Sequence, residues 1–190
     1  TPPFDAQIAY RRAKLALPTE RYGQIAAAAH DRAFVVAGAM QADLLADLQA
    51  ALVQYVSDGR GARAFERDFQ AIAAQHGWTG WTGEDSAEGR AWRARLVYGT
   101  NLRGAHAAGR RAQMLEPGYL RLRPYWRYLH SDTVAHPREQ HLAWHGLTLP
   151  HDHPFFKTHY APNGIGCQCR IVAVSQREGE ASARAGLGQP

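Results

Sequence analysis

Pro124-Tyr125-Trp126-Arg127-Tyr128-Leu129-His130 alternates aromatic rings with polar groups. A period of two over seven residues predicts a strand in a chain whose other long apolar patterns are helical. Downstream, Cys169-Arg170-Ile171-Val172-Ala173-Val174 reads as a closing strand. Between them, Pro137 to His145 predicts a short helix or turn, and Thr148 to Phe156 reads as a Pro- and His-rich loop. Few strands beside many helices give an α+β fold, with a mostly helical N-terminal half, a small antiparallel sheet and a loop-rich His/Cys subdomain toward the C-terminal end.

Upstream of that strand the chain is Ala-rich and helical in pattern. A short helix is expected from Asp5 to Leu17, ended by Pro18, and a long one from Glu20 to Ser57 with Thr19 as its N-cap. Phe34, Val35, Met40, Leu44, Leu45, Leu48, Leu52, Val53 and Val56 define its apolar face, and Gly38 marks a bend or a close approach. Gly59 and Gly61 separate it from a helix at Arg63 to His76 with Phe65, Phe69 and Ile72 inward, stopped by Gly77. Trp78 to Gly89 is turn-rich, and a further helix covers Gly89 to Met114. The character changes between Glu116 and Leu122. This divides the chain into a helical platform (1–115), an α+β core that holds the His/Cys cluster (116–176) and a polar tail (177–190).

With 190 residues and 45% hydrophobic content, the chain can bury a core. No run approaches the roughly 20 apolar residues of a membrane span, and no signal peptide is visible, so a soluble, non-secreted chain with no membrane partner is expected. It starts at Thr1 rather than Met, which is compatible with a longer parent chain. The net charge is +5, and Lys14 and Lys157 are its lysines, so the basic side is arginine. Arginine suits phosphate or carboxylate partners. The arginines Arg90, Arg93, Arg95, Arg103, Arg110 and Arg111 do not form one stripe, however, and a solvated helix with local ion pairs explains them as well.

Chemistry concentrates between His130 and Arg170. His141 and His145, four apart, share one helix face, and Cys167 and Cys169 share one face of an extended segment. The two cysteines are too far apart along that segment for an unstrained disulfide. His141, His145, Cys167 and Cys169 therefore form a candidate Cys2His2 set for a structural zinc. His136, His151, His153 and His159 are rival ligands, and hydrogen bonding in a turn-rich domain is the alternative to any metal. Asp132, Asp152, His153 and Asn163 supply the parts of a metal-dependent nuclease, but their spacing fixes no general base beside an open metal position. No catalytic residue is assigned.

Several blocks follow one another in order: Arg138-Glu139-Gln140-His141, Ala143-Trp144-His145-Gly146, Leu149-Pro150-His151-Asp152-His153-Pro154-Phe155, His159-Tyr160-Ala161-Pro162-Asn163-Gly164 and Cys167-Gln168-Cys169-Arg170. Together they resemble the phage Mu F-like head-morphogenesis family. In the helical half, Tyr98-Gly99-Thr100-Asn101-Leu102-Arg103 and Ala105 to Gly109 resemble that family's Thr-Asn and Ala-Gly segment, and Ala33 to Leu45 its early helix. The chain departs from the family pattern at Phe156, Ala161 and Gln168. His141, Gly146, Asp152, Cys167 and Cys169 are the positions the resemblance carries over. It implies a minor head protein rather than an enzyme, located in the virion interior near the portal and in the host cytoplasm during assembly. Its implied partners are portal and capsid or scaffold proteins, with packaged DNA as a further contact. A metal-dependent nuclease, the carrier part of a phage-associated toxin and a DNA-binding module without an assembly role are the alternatives.

Overall fold

The structure is a computed structural model that describes residues 5–16, 18, 33–34 and 36–189. Its elements are α1 (Asp5–Arg12), β1 (Leu15–Ala16), β2 (Ala33–Phe34), α2 (Ala42–Ser57), α3 (Ala62–Gln75), α4 (Ala87–Met114), α5 (Pro117–Leu122), β3 (Tyr125–Leu129), α6 (Glu139–Ala143), β4 (Thr148–Pro150), α7 (Phe155–Thr158), β5 (Arg170–Val174) and α8 (Gln176–Arg184). The fold is α+β. It comprises two compact units, residues 1–105 and 106–190, and the division falls within α4. Among the described residues, no helix is long and apolar enough to cross a membrane.

In residues 1–105 the core forms where two amphipathic helices lay their stripes together. α2 buries Leu44, Leu45, Leu48, Leu52, Tyr55 and Val56, and α3 buries Phe65, Phe69 and Ala73, one row at intervals of four. Phe65 meets Tyr55 edge-on at 6.0 Å, and Phe69 meets Trp81 at 5.5 Å. The Tyr55 hydroxyl donates to Asp68, tying α2 to α3. Gly77, at φ +61°, ends α3, and the next N–H, of Trp78, returns to the Ala73 carbonyl at 2.9 Å. That is the left-handed stop its sequence predicts.

The structure departs from two helical expectations. The first helix stops at Arg12 rather than running to Leu17, because Leu15 and Ala16 instead pair in parallel with Ala33 and Phe34. Of the expected helix from Glu20 to Ser57, Thr19 and residues 20–32 lie outside the described residues. Val35 also lies outside them, Ala33–Phe34 is strand, and among the described residues that follow, helix begins at Ala42. Gly38 sits at φ +82°, which a right-handed helix cannot contain. Phe34 reaches the core from β2, and Val36 and Ala39 reach it from the irregular backbone that follows.

His76, which caps the end of α3, joins the two helices electrostatically. Its Nδ1 lies 3.3 Å from Asp43 and its Nε2 2.8 Å from Asp47, both on α2. The hydrogen bond to Asp47, with the charge of Asp43 adding to it, raises its pKa from the ordinary value near 6.5. A raised folded-state pKa gives stability that is fully present below the unfolded value and lost as pH rises through the folded value. The urea midpoint of residues 1–105 in the wild-type chain is therefore expected to fall toward that of His76→Gln over a pH window that opens at the ordinary histidine value near 6.5 and extends above it. A constant difference across that window sinks this account of His76.

In residues 106–190 a three-stranded antiparallel sheet has the order β4-β3-β5. Trp126 pairs with Leu149 on one side and Ala173 on the other. Trp126 and Tyr128 point inward, as the alternation predicts, and meet Ile171 and Ala173 from β5 with Phe155 and Phe156 from α7. The segment expected as loop from Thr148 to Phe156 contains β4 and the start of α7. Three residues are too few to show a period, and β4 forms because β3 offers it an edge.

Residues 177–190, polar in composition, lie largely in α8, which starts at a capping box. Glu178 N–H donates to the Ser175 hydroxyl, and Ser175 N–H donates to the Glu178 carboxylate. Arg127 of β3 donates to Thr148 of β4 at 3.0 Å and to Ser182 of α8 at 3.1 Å, strapping the helix to the sheet. Gly179 makes the approach possible, since a Cβ there would lie 2.4 Å from the Tyr125 ring.

Candidate metal centre

One end of this sheet carries the chain's thiols. β3 and β5 pair Tyr128 with Ile171 and Leu129 with Arg170. One further step along the same register sets His130 opposite Cys169, just beyond the ladder. Cys167 leaves a tight loop in which Gly164 and Gly166 both have positive φ, and its N–H donates to the Gly164 carbonyl at 3.2 Å. Arg138 holds that loop from the other side by donating to the Ile165 carbonyl at 3.0 Å. It also stands at the N-cap of α6, the short helix that bears His141.

The three elements bring His141, Cys167 and Cys169 together. Their ligand atoms lie within 4.8 Å of one another, and all three residues are buried. His141 Nδ1 is 3.7 Å from Cys167 Sγ and 3.6 Å from Cys169 Sγ. A tetrahedral zinc, with bonds of about 2.3 Å to sulfur and 2.0–2.1 Å to nitrogen, sets S···N edges at about 3.5–3.6 Å. The two S···N separations thus match those that a shared ion would impose. Neither cysteine is in a disulfide. The His141 ring stacks on Trp144 at 5.6 Å and faces Tyr128 edge-on at 6.4 Å, which fixes its plane.

Electrostatics fit a ligand role for these groups. Burial, with Arg138 and His130 adding to it, lowers the His141 pKa, so its imidazole is neutral and keeps a lone pair. Burial pushes the Cys169 thiol up. A buried thiol is a poor nucleophile and becomes thiolate only beside a cation. A divalent ion with two thiolates and neutral imidazoles carries no net charge, the arrangement a buried site tolerates best.

The fourth residue read from spacing, His145, is placed differently. It is exposed, and its Nδ1 accepts the backbone N–H of His130 at 3.1 Å. The rivals also have other roles or positions. His136 is exposed. His151 meets the Pro124 carbonyl, His153 Nδ1 accepts the Phe155 N–H, and His159 stacks on Phe155 at 5.0 Å. Asn163 donates to the Tyr128 hydroxyl and the His159 carbonyl, so it braces the turn that holds the cis Ala161-Pro162 bond. Asp132, Asp152 and His153 are not part of the converging group.

His130, which the spacing argument did not single out, also stands beside Cys169. It is buried, with its Nδ1 3.6 Å from Cys169 Sγ. The signal was present: His130 continues the inward series Trp126 and Tyr128 by the same step of two. Of the arginines on α4, Arg90 donates to the Glu84 carbonyl, Arg93 to the Ala37 carbonyl, and Arg111 lies over the Tyr160 ring. Those three half-buried side chains are engaged by partners within the protein.

The family model described as Phage Mu protein F like protein matches residues 46–172, which contain the whole centre. The chain is 35% identical over 182 residues to the putative capsid assembly protein F of Escherichia phage Mu, covering 92% of this chain and 40% of that protein. It is 34% identical over 152 residues to the Mu-like prophage FluMu F protein of Haemophilus influenzae, covering 78% of this chain and 36% of that one. The chain thus spans well under half the length of these relatives. No solved structure matches it.

Proposed function

Because the chain belongs to the phage Mu protein F-like family, we propose that it acts in head morphogenesis of a tailed phage, as a minor virion component rather than an enzyme. The observation that carries this reading is the family match over residues 46–172, supported by the similarity to a protein named for capsid assembly. Its partners in this reading are the portal and the capsid or scaffold proteins, met in the host cytoplasm, and it remains inside the head near the portal. The net charge of +5 supports a contact with packaged DNA in the same place.

Within that role the centre at His141, Cys167 and Cys169 holds a structural zinc. Residues 106–190 have a small sheet and long irregular connections, and an ion joining α6 to the segment before β5 fixes two of those connections at once. A tagged copy produced with the other head proteins of its own phage is expected to sediment with procapsids and to remain in mature heads. Normal yields of infectious particles after deletion of its gene, with the tagged copy absent from heads, would overturn the assembly role.

A further inference from the structure

We propose that His130 is the fourth ligand of this centre and that His145 is the residue that positions it, which makes the site a closed Cys2His2 set. This inference rests on the zinc reading of His141, Cys167 and Cys169.

A structural zinc takes four protein ligands, and the converging group supplies three. His130 enters from the strand opposite the cysteines. The β3–β5 register sets it across from Cys169, its side chain is buried, and its Nδ1 is already 3.6 Å from Cys169 Sγ. That is the S···N edge of a zinc tetrahedron, about 3.5–3.6 Å. One of the three edges His130 must make is therefore in place. His130 lies outside the group of three whose ligand atoms are all within 4.8 Å of one another, so the assignment requires its imidazole to turn inward on ion binding to make the edges to Cys167 and His141.

His145 cannot take that position while it keeps its present bond. Its Nδ1 is occupied by the His130 N–H, and the residue is exposed in the turn that follows α6. The same bond gives it a role, because it pins the backbone of His130 where β3 ends and so sets the direction of the His130 side chain. A partner that orients a ligand from outside the coordination sphere is a regular part of metal sites.

Cobalt(II) titration of the reduced full chain, read by visible absorption, separates the possibilities. Thiolate-to-cobalt charge transfer scales with the number of bound sulfurs. His130→Cys is expected to raise that band roughly 1.5-fold, from two thiolates to three, while keeping tetrahedral ligand-field absorption. His145→Cys is expected to leave the band unchanged. His130→Ala should weaken cobalt and zinc binding on the order of 100-fold, and His145→Ala by a smaller factor. If wild type binds cobalt tetrahedrally but His130→Cys adds no thiolate band and His130→Ala binds as tightly as wild type, the assignment of His130 is overturned and the zinc reading stands. If reduced wild type binds neither cobalt nor zinc, the zinc reading fails and the assignment falls with it.

Discussion

Treating the reduced protein with excess chelator is expected to unfold residues 106–190 and leave residues 1–105 folded. Cys167 and Cys169 belong to the same buried cluster as Trp126, Tyr128, Leu149, Phe155 and Ile171, so the centre is part of the core rather than an attachment to it. Structural zinc contributes on the order of 10 kcal/mol of apparent free energy. A unit the size of residues 106–190 has a total stability of about 4–13 kcal/mol. Loss of the ion therefore removes most or all of that margin. Residues 1–105 have their own core, to which α2 and α3 contribute most, and none of the centre's residues belongs to it. Amide exchange reads the difference: protection should vanish in β3, β4 and β5 and persist in α2 and α3. Cys167→Ser/Cys169→Ser should reproduce the pattern without chelator. About one zinc per chain by elemental mass spectrometry, lost in that variant, completes the expectation. A metal-free wild type with full protection in β3 would return the cluster to ordinary packing and hydrogen bonding.

What the sequence made legible, and what it hid, follows from how local each signal is. β3 was readable because Trp126 and Tyr128 repeat a period of two with bulky rings, and no helix places i and i+2 on one face. α3 was readable because Phe65 and Phe69 sit between Gly61 and Gly77. The start of α2 was not. Phe34 and Leu44 both reach the core, and periodicity counts which side chains are apolar rather than which backbone carries them. Gly38 was the warning, and its positive φ is what separates β2 from α2. β4 depends on an edge that only the folded sheet supplies. α8 carried a readable start in Ser175 and Glu178, hidden by polar composition. In the centre, spacing found His141 and the cysteines. It paired them with His145 because a separation of four on an expected helix is a local relation, whereas the facing of His130 and Cys169 appears only once the β3–β5 register is known.

Trp126→Ala is expected to cost about 3–5 kcal/mol, the largest loss of any single substitution in the sheet. Trp126 is 1% exposed and lies in the middle strand, where Phe156 meets its ring at 5.3 Å and Tyr160 at 5.4 Å. Removing the indole leaves a cavity bounded by a strand on each side, so the walls cannot collapse inward without breaking the register with Leu149 and Ala173. Trp126→Phe should cost less than half as much. Among the described residues, the buried indole Nε1 has no hydrogen-bond partner, so losing that N–H removes a desolvation penalty along with some packing area. The ratio of the two losses, read as urea midpoints of the transition of residues 106–190 in zinc-loaded protein, tests the argument. Equal costs would mean that the indole N–H is satisfied in solution and contributes to the core. A small cost for both would mean that the walls around Trp126 collapse into the space it leaves, contrary to the constraint that its two neighbouring strands impose.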